Sequence, residues 1–187
     1  MSTIYYFLFI FIGLAPIFGC QGGGGSGSDG QGPLPEPSTG WQATLKVSVQ
    51  DATADGGVAY NRLVAGERET ATDAFDNASD IRAFLAGPVQ AYFVHTGDTG
   101  YDQNSEQLWQ DLRAVNRPEE WKIEVMAESG RTVTLSWTLP TGEVSCATNQ
   151  FSLMDSDGQL GQTNLCTTES LTYVGDGQLR HFVLKVS

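Results

Sequence analysis

Cysteine and histidine are the side chains most able to bind a metal or act on a carbonyl, and this chain holds Cys20, Cys146, Cys166, His95 and His181. Neither histidine has a cysteine or second histidine at ligand spacing, so a transition-metal centre is not expected. There is no G-x-S-x-G elbow and no C-x-x-C-H haem attachment. Serine and aspartate are so frequent that a Ser/His/Asp triad drawn through His95 carries no weight, because a triad is defined by geometry rather than composition. Enzyme chemistry is therefore not expected. The run Asp155-Ser156-Asp157-Gly158 opens like a calcium loop but has no glutamate at the twelfth place, and it reads as a turn. Among the aromatics, Trp41, Trp109 and Tyr101 are the candidates for stacking on a ligand such as a glycan.

These residues must be positioned by the rest of the chain. Residues 4–18 are almost wholly apolar, punctuated by Gly13 and Pro16, too short for a spanning helix but long enough for an export h-region. Ile17-Phe18-Gly19-Cys20 follows. This order resembles the lipobox of bacterial lipoprotein signal peptides. The resemblance implies that residues 1–19 are a removed signal and that Cys20 carries the lipid. With Cys20 so used, Cys146 and Cys166 remain as an even pair in an exported chain, and a disulfide between them is expected. It would contribute about 3 kcal/mol by restricting the unfolded chain. Two separate buried thiols are the alternative.

Residues 20–40 (lipidated cysteine, then a Gly/Ser/Pro run) have no apolar periodicity and are read as a disordered tether. Gln21, directly after the cysteine, is compatible with outer-membrane sorting. The chain is therefore expected to be lipid-anchored at a cell membrane, on the outer membrane or cell surface. Lys and Arg total 10 against 22 Asp and Glu, a formal charge of −12, and none of these charges precedes Cys20. Such a surface repels phosphate backbones and anionic headgroups. Nucleic acid is excluded as a partner, and membrane attachment falls to the acyl chain.

Residues 41–187 are read as one folded domain. Period-two alternation, bounded by Gly, Asp, Asn or Pro, predicts strands over 42–49, 58–64, 89–95, 121–127, 131–139, 150–154, 171–174 and 180–186. Trp121, Ile123 and Val125 face the core, as do Val133, Leu135, Trp137 and Leu139. Glu128-Ser129-Gly130 is the expected hairpin turn between those two strands. Arg180, Phe182, Leu184 and Val186 share one face and His181, Val183 and Lys185 the other. Residues 104–112 could form a helical turn or two, with Asn104 as its cap. The expected fold is all-β: a single antiparallel sandwich of about eight strands, of immunoglobulin-like or jelly-roll type.

In order, the domain reads Ala71-Thr72-Asp73-Ala74-Phe75-Asp76, Gln90-Ala91-Tyr92-Phe93-Val94-His95, Asp111-Leu112-Arg113, Trp121 with its alternating strand, and Val133-Thr134-Leu135-Ser136-Trp137. This resembles a β-sandwich module of bacterial secreted and surface proteins, with alanine at 74 where glycine is usual. The resemblance implies fold and location, and brings no chemistry. It draws attention to Asp73, Asp76, Asp80, Asp111 and Arg113, expected to form an ion-pair and hydrogen-bond network between loops. A calcium site using Asp73 and Asp76 is the alternative; otherwise no cofactor is expected. Taken together, these readings predict a non-enzymatic structural or docking module with an envelope or extracellular protein partner, or else a glycan-binding module.

Overall fold

The computed structural model describes residues 40–115 and 119–187. The signal segment, Cys20 and all of the tether but Gly40 lie outside them. The described chain is all-β, with eleven strands and one short 3-10 turn. The strands are β1 (Gly40–Gln50), β2 (Val58–Arg68), β3 (Ile81–Arg82), β4 (Val89–Val94), β5 (Gln107–Arg113) and β6 (Glu119–Ala127). They continue as β7 (Thr132–Thr138), β8 (Phe151–Asp155), β9 (Gln162–Asn164), β10 (Ser170–Val174) and β11 (Leu179–Val186).

The expected two-sheet stack of about eight strands is replaced by one hydrogen-bonded path, β10-β7-β1-β2-β5-β4-β6-β11-β8-β9, with β3 attached to β5. All pairings are antiparallel except β2 with β5, where Val64–Glu67 run parallel to Gln110–Arg113. The path curls until it is nearly closed and barrel-like. Its two ends, β9 and β10, are consecutive in sequence and joined by residues 165–169.

Alternation explains the core. Trp41, Ala43, Leu45, Val47 and Val49 of β1 are buried, and so are Trp121, Ile123 and Val125 of β6, Val133 and Leu135 of β7, and Phe182 and Leu184 of β11. Each large side chain so buried contributes roughly 1.5–3 kcal/mol. The two arms of the sheet meet face to face. Trp41 lies edge-on to Trp121 at 5.5 Å and to Phe151 at 5.7 Å, and Tyr173 sits 6.0 Å from Phe182. Trp137 and Leu139 are only partly buried, packed against the rim of this core.

Two local expectations are corrected. The strands flanking Glu128–Gly130 do not pair with each other: β6 pairs β4 and β11, while β7 pairs β1 and β10. Both strands aim large apolar side chains inward, and facing each other across the core buries those chains on both sides, so the turn carries the chain from one arm to the other. The segment 104–112 is not helical. Asn104 lies in a turn held by Asp102 and Ser105, and the rest is strand β5, whose backbone completes ladders with β2, β3 and β4.

Candidate functional site

The densest collection of charge lies around β5. Asp111 is fully buried, and its carboxylate accepts from His95 Nε2 (3.0 Å) and from Arg113 NH2 (2.9 Å), while Trp121 Nε1 donates to its backbone carbonyl (3.2 Å). Burial alone would raise the Asp111 carboxyl; the His95 hydrogen bond and the Arg113 guanidinium outweigh it and hold the group below the ordinary aspartate range. The second ring nitrogen of His95 lies 3.2 Å from Asp98, and Tyr101 stacks flat on the imidazole at 3.8 Å. His95 is 3 % exposed. With both nitrogens against carboxylates and the ring covered, the cluster braces the 95–105 loop on β5. Of the residues expected to form a network, Asp111 and Arg113 meet here, with His95 as an additional member. Its signal in the sequence was the alternation of Asp111 and Arg113.

Asp80 extends the network. It is buried, and its carboxylate accepts from the backbone N–H groups of Asp76 (2.8 Å) and Leu112 (3.1 Å). Burial pushes its carboxyl up to about 6, against the opposing pull of those two donors. Asp76 turns one oxygen onto the Ala78 N–H and caps the turn leading to Asp80. Asp73 and Asp76 were the calcium candidates. Among the described residues, no group of three or more His, Cys, Asp or Glu side chains is arranged to hold a metal ion.

The Asp155–Gly158 run is a turn, as expected, built on a buried carboxylate. Asp155 accepts from the N–H groups of Asp157, Gln159 and Leu160 and faces Arg180 NH1 at 3.3 Å. At the other end of the path, Cys146 and Cys166 form a disulfide with a Cα separation of 5.6 Å. The bond fastens the 139–150 loop to the 165–169 segment that joins β9 to β10. Trp137 reinforces that junction, its Nε1 donating to the carbonyls of Leu165 (2.9 Å) and Thr168 (3.0 Å).

The three aromatics expected to touch a ligand are not gathered on one surface. Trp41 belongs to the inward row of β1 and is 8 % exposed, so its reading as a ligand contact is corrected: it packs on Trp121 and Phe151. Tyr101 is committed to His95. Trp109 is half-buried in β5, and its indole N–H is buried with no hydrogen-bond partner among the described residues.

What the surface does offer is an apolar edge. Ile81 is 51 % exposed and Phe84 74 %. Ile81 belongs to the two-residue β3, which pairs β5 on one side and, among the described residues, no strand on the other, and Phe84 follows two residues beyond that strand. Ala83 N–H still donates to the Gln107 carbonyl (2.9 Å), so the segment stays extended past β3. Sequence reasoning missed this edge because residues 81–86 have no clean alternation.

No protein-family model matches this chain, and no curated protein and no solved structure matches it.

Proposed function

We propose that the chain is a non-enzymatic bacterial lipoprotein, anchored through Cys20 and its Gly/Ser/Pro tether at the outer membrane or cell surface, whose β domain docks another envelope or extracellular protein. The observation that carries the docking role is the open edge at residues 81–86, where Ile81 and Phe84, the latter the most exposed of the large apolar side chains described, turn to solvent close together in sequence. An open sheet edge is a template for an added strand; this one is short, bears Arg82 and shifts register between Ile81 and Arg82, so the apolar side chains of Ile81 and Phe84, rather than a long ladder, would hold a partner. The partner would lay apolar side chains against Ile81 and Phe84 beside β3. The lipobox order Ile17-Phe18-Gly19-Cys20 supports the anchor. The sandwich-module resemblance over residues 71–76, 90–95, 111–113 and 133–137 supports a secreted or surface setting.

Cross-linking of intact cells carrying the full chain should recover one protein repeatedly, and Phe84→Asp should abolish its recovery while the Cys146–Cys166 bond still forms. Recovery of no partner, or of the same partner with Phe84→Asp, overturns the docking role. Mass spectrometry of the mature N-terminus should show an acylated Cys20, and an unmodified one overturns the anchor.

A further inference from the structure

A second surface, two strands along the sheet from β3, has a different chemistry. On the outer face of β7, β1 and β2 the register sets three rungs: Thr138–Thr44–Val64, Ser136–Lys46–Arg62 and Thr134–Ser48–Tyr60. Strands lie about 4.8 Å apart, so Lys46 and Arg62 are direct neighbours of like charge. Among the described residues neither has a carboxylate partner. Lys46 Nζ sits 4.6 Å over the Tyr60 ring, and Arg62 NH2 reaches Thr44 Oγ1 at 3.5 Å. The only acidic residue in β10, β7, β1 and β2 is Glu67, which stands on the inward-facing alternation of β2, paired with Trp41. In a chain of charge −12, this face is positive. It is also hollowed: a depression of about 340 Å³ is lined by Thr44, Lys46, Tyr60, Arg62, Ser136, Trp137 and Thr138.

We infer that this basin binds a short saccharide segment bearing a carboxylate, such as a uronate. Lys46 and Arg62 meet the carboxylate, and Arg62 offers it a planar pair of donors. The hydroxyls of Thr44, Ser136 and Thr138 match vicinal sugar hydroxyls, donor to acceptor. Tyr60, 57 % exposed, gives the sugar ring an aromatic surface to lie against. The volume falls within the usual range for a small-molecule site, about 300–1,000 Å³. The hydroxyls of Thr44, Ser136 and Thr138 around the two cations favour a hydroxyl-bearing ligand over an acidic peptide. A long polyanion would run off the positive face onto acidic loops, whereas a short segment stays within about one Debye length, roughly 8 Å, of the two cations.

The test titrates the full-length protein, in detergent micelles, with trigalacturonate, its methyl ester and a triglutamate peptide. Trigalacturonate should bind, more weakly as salt rises. The neutral ester and triglutamate should each bind at least about tenfold more weakly. Lys46→Gln combined with Arg62→Gln should lower trigalacturonate affinity by at least about tenfold, and Lys185→Gln and Phe84→Asp should leave it unchanged. Unchanged near-ultraviolet circular dichroism shows that the double variant is folded; both residues are exposed. Three results would overturn the inference: no binding of trigalacturonate to the native chain, equal binding by the double variant, or equal affinity for triglutamate.

Discussion

On the outer face of β6 and β11 each basic side chain stands against a carboxylate: Lys185 against Glu120, Lys122 against Asp98 at 3.6 Å, and His181 between Asp157 at 3.1 Å and Glu124 at 3.8 Å. On the outer face of β1 and β2, Lys46 stands against Arg62. The two faces belong to the same sheet and the same acidic chain. The interior follows the first pattern, since Asp111 and Asp155 are each met by an arginine. Charge that the fold relies on is paired, and a cross-strand pair of like sign contributes nothing to the fold. The β1–β2 face thus carries a like-charged pair that breaks the pattern of the rest of the sheet.

The contrast is sharpest where removing a charge changes stability. Asp111→Ala would leave Arg113 and His95 facing each other in the interior and should cost about 3–5 kcal/mol in a urea melt. A loss well under 1 kcal/mol would show that the buried network is not what braces β5. Replacing both Cys146 and Cys166 by serine should cost about 3 kcal/mol, because the unfolded chain regains the freedom the bond removes.

The next effect is one of pH. Asp80 titrates in the folded protein at about 6, above its unfolded value of 3.8, so the folded state binds the proton more tightly. Its charged form therefore weakens the fold at neutral pH, and that penalty fades as pH falls through 6. Stability should rise by about 1 kcal/mol from this group between about pH 7 and pH 5. Protonation of Asp111, held low, destabilises the protein only at more acid pH. A stability curve that falls steadily from neutral pH downward would remove Asp80 from this role.

The smallest pair of effects differs in sign. Lys185→Gln should cost no more than about 1 kcal/mol, since its pair with Glu120 is exposed. Arg62→Gln should instead stabilise by a few tenths of a kcal/mol, through loss of a like-charged neighbour. Equal destabilisation by both would erase the distinction between the faces.

Much of the interior was legible from alternation alone. The inward rows of β6, β7 and β11, including Arg180 on the apolar side, follow from period two. Trp41 was misplaced because the first strand was read from Gln42, although 41, 43, 45, 47 and 49 continue one parity. β3, β5 and β9 were missed as regular strands because short or mixed segments are extended only by virtue of the neighbours that bond them. The turn at 128–130 shows a similar limit: local sequence marks a reversal but not whether the strands pair or face each other. Lys46 and Arg62 could be read as outward residues. That they are opposite one another is a matter of register between strands, which no periodicity within either strand encodes.

The place of β11 has a consequence for how the protein is made. Leu179–Val186 lies inside the path, between β6 and β8, and Ser187 exchanges both backbone hydrogen bonds with Gln150. Until this strand is present, β8 and β9 have no ladder to the rest of the sheet, so the sheet stays incomplete until residues 179–186 are made. A chain without residues 179–186 leaves β8–β9 and the rest of the sheet as two separate ladders.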